Sequence, residues 1–229
     1  MPDNEPIFYR RNLPHLHPKD AIFFITFRLV DSLPADVLQK LQQEREEEIQ
    51  QLRKKFSGEE FEKEKYKTEK RYFGHFDEWL DRASTGPHWL KEERIARIVA
   101  EKIHELDGKN YKLIAYCIMS NHVHLLFDTT GYDQTSATNI AGKTKNYPVA
   151  DAMRLLKGST SRFCNLELKR TGAFWHKESY DHFVRDDEEL YRIIEYILNN
   201  PVKAGLVKHW QEWKFSYINK GFVDVTHHS

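Results

Sequence analysis

The chain has 229 residues, 40% of them hydrophobic, enough to bury one sizeable core with an appendage. Lysine plus arginine and aspartate plus glutamate each number 35, so the formal charge is zero and overall charge gives no argument for a polyanionic partner. No apolar run approaches the roughly 18 residues that cross a bilayer. The polar, proline-containing first ten residues do not resemble a secretory signal, and Cys117 and Cys164 lie too far apart for a zinc pair. A cytoplasmic protein with reduced thiols and no membrane partner is expected.

Ala21 to Leu29 is rich in β-branched and aromatic residues and follows a Pro-His-Leu-His-Pro turn region, so it reads as a buried strand. From about residue 35 to 85, Glu, Lys, Gln and Arg dominate, with sparse apolar positions such as Leu38, Leu41, Ile49, Leu52 and Phe56. That composition predicts solvated helices broken near Ser57-Gly58, a charged helical insertion. Past a Gly86-Pro87 turn, Trp89, Leu90, Ile95, Ile98, Val99 and Ile103 recur at helical spacing, and that helix should stop near Asp107-Gly108. Tyr111 to Met119 and His122 to Asp128 read as two strands joined at Ser120-Asn121 in a hairpin. Thr129 to Pro148, with Gly, Asn, Thr and Ser throughout, predicts a long mobile loop. Val149 to Leu168 is helical by spacing. So is a run from about Asp187 through Leu190, Ile193, Ile194 and Ile197, with Asp186 or Asp187 as its cap. It is expected to end at Asn200-Pro201, because the residue before proline is pushed out of the helical region. Trp210, Trp213, Phe215 and Tyr217 should pack the tail onto the core.

Strand alternation over His122 to Phe127 turns Val123, Leu125 and Phe127 toward the core and puts both histidines on the other face, about 7 Å apart. Two imidazoles so placed can converge on one divalent ion, although two surface histidines on a half-exposed strand would look the same. In the late helix, Tyr196 and Asn200 lie one turn apart on one face. A phenol, with a pKa near ~10, becomes a nucleophile beside a base or cation, and an amide oxygen is a hard ligand suited to Mg²⁺ or Mn²⁺. Between these elements Lys143, Lys145, Arg154, Lys157, Arg162, Lys169, Arg170 and Lys177 face only Asp151 and Glu167. Such a stretch can follow a phosphate backbone, with Phe163, Phe174 and Trp175 stacking on bases, or can simply solvate a surface over core aromatics; both readings stand.

Three stretches resemble the HUH-type single-tyrosine transposases of the IS200-like family, specifically the branch called REP-associated tyrosine transposases. They are Arg10 to Pro14 with Phe24 to Leu29, then Met119 to Leu126, then Phe174 to Arg185 leading into Tyr196 to Val207, in the family's order. Where the family often has Met-Pro-Asn before the histidines, this chain has Met119-Ser120-Asn121.

The resemblance implies one α+β domain over residues 1–229, a ferredoxin-like antiparallel sheet with packed helices and the helical insertion at about 35–85. It implies His122, His124 and Asn200 as ligands of Mg²⁺ or Mn²⁺ and Tyr196 as the nucleophile that cuts single-stranded DNA. The products would be a 5′-phosphotyrosine and a 3′-hydroxyl able to reverse the attack. The implied substrate is a REP-like hairpin with a single-stranded flank, met in a bacterial cytoplasm at the nucleoid by a monomer or a homodimer. Arg154, Lys157, Arg162, Lys169, Arg170, His182, Arg185 and Lys203 are candidate DNA contacts, and His182 and Arg185 equally suit a polar turn before a helix cap. Two rivals remain. One is a His-x-His hydrolase using metal-bound water, for which only Asp128 follows as a nearby ligand. The other is a domesticated, non-catalytic protein that grips hairpin nucleic acid.

Overall fold

The computed structural model describes residues 7–10, 14–17, 20–83, 85–132 and 148–227. The greater part of the loop expected between Thr129 and Pro148 lies outside the described residues. A small antiparallel hairpin of β1 (Ile7–Arg10) and β2 (Pro14–His17) comes first. Then follow β3 (Ile22–Leu29), α1 (Ala35–Lys55), α2 (Gly58–Arg82), α3 (Glu93–Leu106), β4 (Lys112–Ile118), β5 (His122–Asp128), α4 (Pro148–Glu167), β6 (Trp175–Phe183), α5 (Asp187–Lys203) and β7 (Ser216–Ile218). The main sheet is antiparallel in the order β6-β3-β5-β4-β7. Without the β1-β2 hairpin, α1, α2, α5 and β7, this is a βαββαβ chain, β3-α3-β4-β5-α4-β6, whose first strand sits beside its fourth and third: the ferredoxin-like arrangement. No described helix is long and apolar enough to cross a membrane.

Alternation decides what each face of the sheet carries. Phe23, Ile25, Phe27 and Leu29 of β3 and Val123, Leu125 and Phe127 of β5 pack with Ile95, Val99 and Ile103 of α3 and Ala152, Leu156 and Cys164 of α4. Both cysteines are buried thiols. The opposite face is not half-exposed at its centre: Thr26, His122 and His124 are at most 2% exposed. It meets α5, whose Ile194, Ile197 and Leu198 are buried.

Three departures from the expected elements have local causes. Strand β6 runs through Lys177, Glu178, Tyr180, Asp181 and His182, which lack apolar alternation; its pairing with β3, from Phe23↔Phe183 to Phe27↔Ser179, holds it at the sheet edge. Ser216–Ile218 adds an edge strand on β4, where Tyr217 stacks on Tyr116 with centroids 5.6 Å apart. Helix α5 does not end at Asn200-Pro201; it continues through Pro201 to Lys203. Proline near a helix end costs a single donor, and the end that forms is well satisfied. Leu206 N–H donates to Pro201 O and Gly205 N–H to Val202 O, both at 2.9 Å, with Gly205 at φ 70°, the left-handed end that glycine favours.

Asp31–His88 forms a compact unit of its own, apart from the rest of the chain. In it α1 and α2 form a helical hairpin pinned by Arg45, whose Nε and Nη2 donate to Glu69 at 2.7 and 2.5 Å, and by Thr68, which donates to Glu48 at 3.1 Å. Gly86, at φ +86°, closes the unit against Asp31: a Cβ there would stand 2.4 Å from the Asp31 carbonyl oxygen. Gly86→Ala is therefore expected to cost about 2 kcal/mol or more, read as a lower thermal midpoint by far-UV circular dichroism.

Candidate metal centre and tyrosine helix

Strand register assembles the site. Thr26 lies opposite His124 and Arg28 opposite His122 on β5, while Tyr180 and His182 of β6 lie opposite Thr26 and Phe24. Directly paired residues share a face, so all of these side chains stand on the histidine face. His122 Nδ1 is 2.7 Å from Asn121 Oδ1, and His124 Nδ1 is 2.8 Å from Thr26 Oγ1. With the Asn121 amide oxygen facing it, which only accepts, His122 carries its proton on Nδ1 and aims an Nε2 lone pair at His124. The two Nε2 atoms are 3.0 Å apart. The Thr26 hydroxyl can donate or accept, which allows His124 two tautomers. With the proton on Nε2 the rings share one hydrogen bond; with it on Nδ1 two lone pairs face each other across a gap that a cation makes favourable.

Burial holds the His124 pKa down to about 3, and the charge of Lys203 adds to the effect. Neutral imidazole is the ligating form. In the unfolded chain the ring protonates near 6.5, whereas in the folded protein it stays neutral to about 3, so acid below 6.5 favours unfolding. This residue should contribute stability that is intact above pH 6.5 and lost at about 1 kcal/mol per pH unit as pH falls toward 3. His124→Gln should flatten the fall of the denaturation midpoint between pH 6.5 and 4.

Helix α5 brings the phenol and the amide. Asp186 Oδ1 caps it by accepting from Glu189 N–H at 2.8 Å, and its buried isoleucines fix its rotation. The Tyr196 ring then lies 5.5 Å from the His124 ring and edge-on to Phe24 at 6.0 Å. One turn on, Asn200 is 1% exposed and its Nδ2 is 3.1 Å from His124 Nε2. Its Oδ1 is buried without a hydrogen-bond partner among the described residues. A half-turn of the amide swaps two atoms of near-identical shape and points the oxygen at His124. Leaving that carbonyl unsatisfied costs roughly 1–3 kcal/mol, which a cation at the histidines would offset. Two imidazole nitrogens and an amide oxygen thus fit a divalent ion, and the buried pair can hold one.

The structure gathers His122, His124, Asn200 and Tyr196, and places Lys203 Nζ 6.0 Å from the Tyr196 ring centroid. The other basic candidates are dispersed. Lys157 Nζ fastens α4 to β6, donating to His176 O at 2.7 Å, Lys177 O at 3.2 Å and Ser179 Oγ at 3.2 Å. Arg170 donates to Asn165 Oδ1 at 2.6 Å and stacks over Trp89 at 4.0 Å. Arg154, Arg162 and Lys169 are exposed, Arg154 beside Asp151 at 3.4 Å. Phe174 and Trp175 are core residues, so of the three aromatics only Phe163 presents its ring to solvent. His182 Nε2 lies 3.3 Å from Glu189 Oε2 and Arg185 over Phe183, joining β6 to the start of α5. The reading of the sequence passed over Thr26 and Asn121, which orient the imidazoles. The signals were a single hydroxyl within the apolar run Ile22 to Phe27 and an amide directly before the first histidine.

Comparison with known proteins gives three findings. Residues 87–200 match the family model described as "Transposase IS200 like". A protein of Haemophilus influenzae named "Putative REP-associated tyrosine transposase" is 30% identical over 111 residues, which cover 48% of this chain and 60%, less than two thirds, of that protein. A solved structure of a REP-associated tyrosine transposase bound to a REP hairpin aligns with a TM-score of 0.48 at 15% identity, covering 91% of this chain and 80% of the other.

Proposed function

The chain belongs, through residues 87–200, to the IS200-like transposases, and from that premise we propose that it cuts and rejoins single-stranded DNA. Tyr196 is the nucleophile in this reading, and His122, His124 and Asn200 hold a Mg²⁺ or Mn²⁺ ion. The observation that carries it is the phenol ring 5.5 Å from His124, on the helix face that also delivers Asn200. A divalent ion bound there supplies positive charge to the phosphate oxygens of the scissile bond.

The protein's own residues do the rest. Thr26 and Asn121 fix the imidazoles, so no reorganisation is needed when the substrate arrives. Phe24, edge-on to Tyr196, holds the ring beside the pair. The Tyr196 oxygen attacks the phosphorus in line: the tyrosyl O–P bond forms, the P–O3′ bond breaks, the phenol loses its proton and the departing 3′-oxygen gains one. The phosphodiester energy is kept in the phosphotyrosine, so a 3′-hydroxyl from another strand reverses the step without an outside energy source.

A REP-like hairpin with a single-stranded flank is the proposed substrate, supported by the kinship of the matched stretch with the Haemophilus influenzae protein. In this reading the charged helices at about 35–85 are an insertion into a single transposase domain that works on DNA in the bacterial cytoplasm. Incubation with labelled hairpin DNA and Mg²⁺ or Mn²⁺ should give a covalent adduct that survives denaturant and is absent with a chelator. Cutting without an adduct would favour a metal-water hydrolase, and binding without cutting a non-catalytic hairpin protein.

A further inference from the structure

Resting on that reading, we propose that Lys203 contacts the substrate, its ammonium group holding the scissile phosphate in front of Tyr196. Positions 196, 200 and 203 follow one another at four and three residues along α5, so the phenol, the amide and the amine share one helix face. Lys203 Nζ stands over the Tyr196 ring, 6.0 Å from its centroid, so the amine lies beside the phenol. The side chain is exposed and takes part in no ion pair among the described residues, unlike many of the basic residues on the charged helices, which have carboxylate partners. The acidic first turn of α5, Asp187 to Glu189, is at the far end of the helix.

In-line attack on a phosphodiester places added negative charge on oxygens beside the nucleophile. A cation beside the phenol, not neutralised by a carboxylate, stabilises that charge. A lysine in a last helical turn also complements the helix dipole, and the test must separate the two roles.

In a Tyr196→Phe background, which blocks cutting, affinity for the flanked hairpin is measured against NaCl concentration. Lys203→Gln should lower the slope of log affinity against log salt by about 0.7, the value for one single-strand phosphate contact. A neutral methylphosphonate at the scissile position should erase the difference between lysine and glutamine. With Tyr196 present, Lys203→Gln should slow single-turnover adduct formation roughly 100-fold, and Lys203→Arg should restore it to within about tenfold, because charge is retained. An unchanged slope, or a lysine effect that persists on the neutral linkage, overturns the proposal and leaves Lys203 as a helix-end charge. If the unaltered protein forms an adduct while Lys203→Gln forms it equally fast, this inference alone fails. If the unaltered protein forms none, the proposed function fails with it.

Discussion

Replacing Tyr196 with phenylalanine should abolish the denaturant-resistant adduct, by at least about four orders of magnitude, and leave hairpin affinity within about threefold. The substitution removes one oxygen. The ring keeps its edge-on contact with Phe24 and its place beside His124, so the substitution is expected to spare the ring packing while removing the proposed attacking oxygen. Gel detection of a labelled adduct measures the first effect and fluorescence anisotropy the second. Adduct formation that survives the change would assign the chemistry to another group.

The second large effect concerns the histidines. His122→Ala and His124→Ala should each eliminate stoichiometric Mn²⁺ binding in a calorimetric titration, and cutting with it, because each removes one of two converging Nε2 atoms from the proposed three-ligand set. Asn121→Ala, which frees the His122 ring to turn, should weaken the ion about 10- to 100-fold without eliminating it. Asn200→Ala should fall between the two. Undiminished Mn²⁺ binding in both histidine variants would place the ion elsewhere.

Much of this was legible in the residues, for physical reasons. Period-two alternation placed Val123, Leu125 and Phe127 in the core and the histidines together on the other face, and helical spacing put Tyr196 and Asn200 on one side of α5. Charge-rich composition marked α1 and α2, down to the break at Ser57-Gly58.

The missed features depend on partners distant in sequence. β6 is a strand because β3 offers it an edge, and its own polar residues carry no signal. Pro201 stays inside α5 because Gly205 supplies a left-handed end two hydrogen bonds deep, which outweighs the local preference of the residue before proline. The roles of Lys157 and Arg170 in tying elements together are invisible in a count of charges. The reading of His122 and His124 as a surface pair on a half-exposed strand falls with their complete burial, which required α5 to be seen lying over the sheet.

Tyr196 is not the only phenol on the histidine face, since Tyr180 pairs with Thr26 on the neighbouring strand and meets Phe24 at 6.4 Å. The most direct test is therefore peptide mapping of the covalent adduct. After digestion of both protein and DNA, mass spectrometry should find the nucleotide remnant, joined through its 5′-phosphate, on the peptide containing Tyr196. A remnant on the Tyr180 peptide, or on neither, would contradict the assignment of the α5 phenol as the group that attacks DNA.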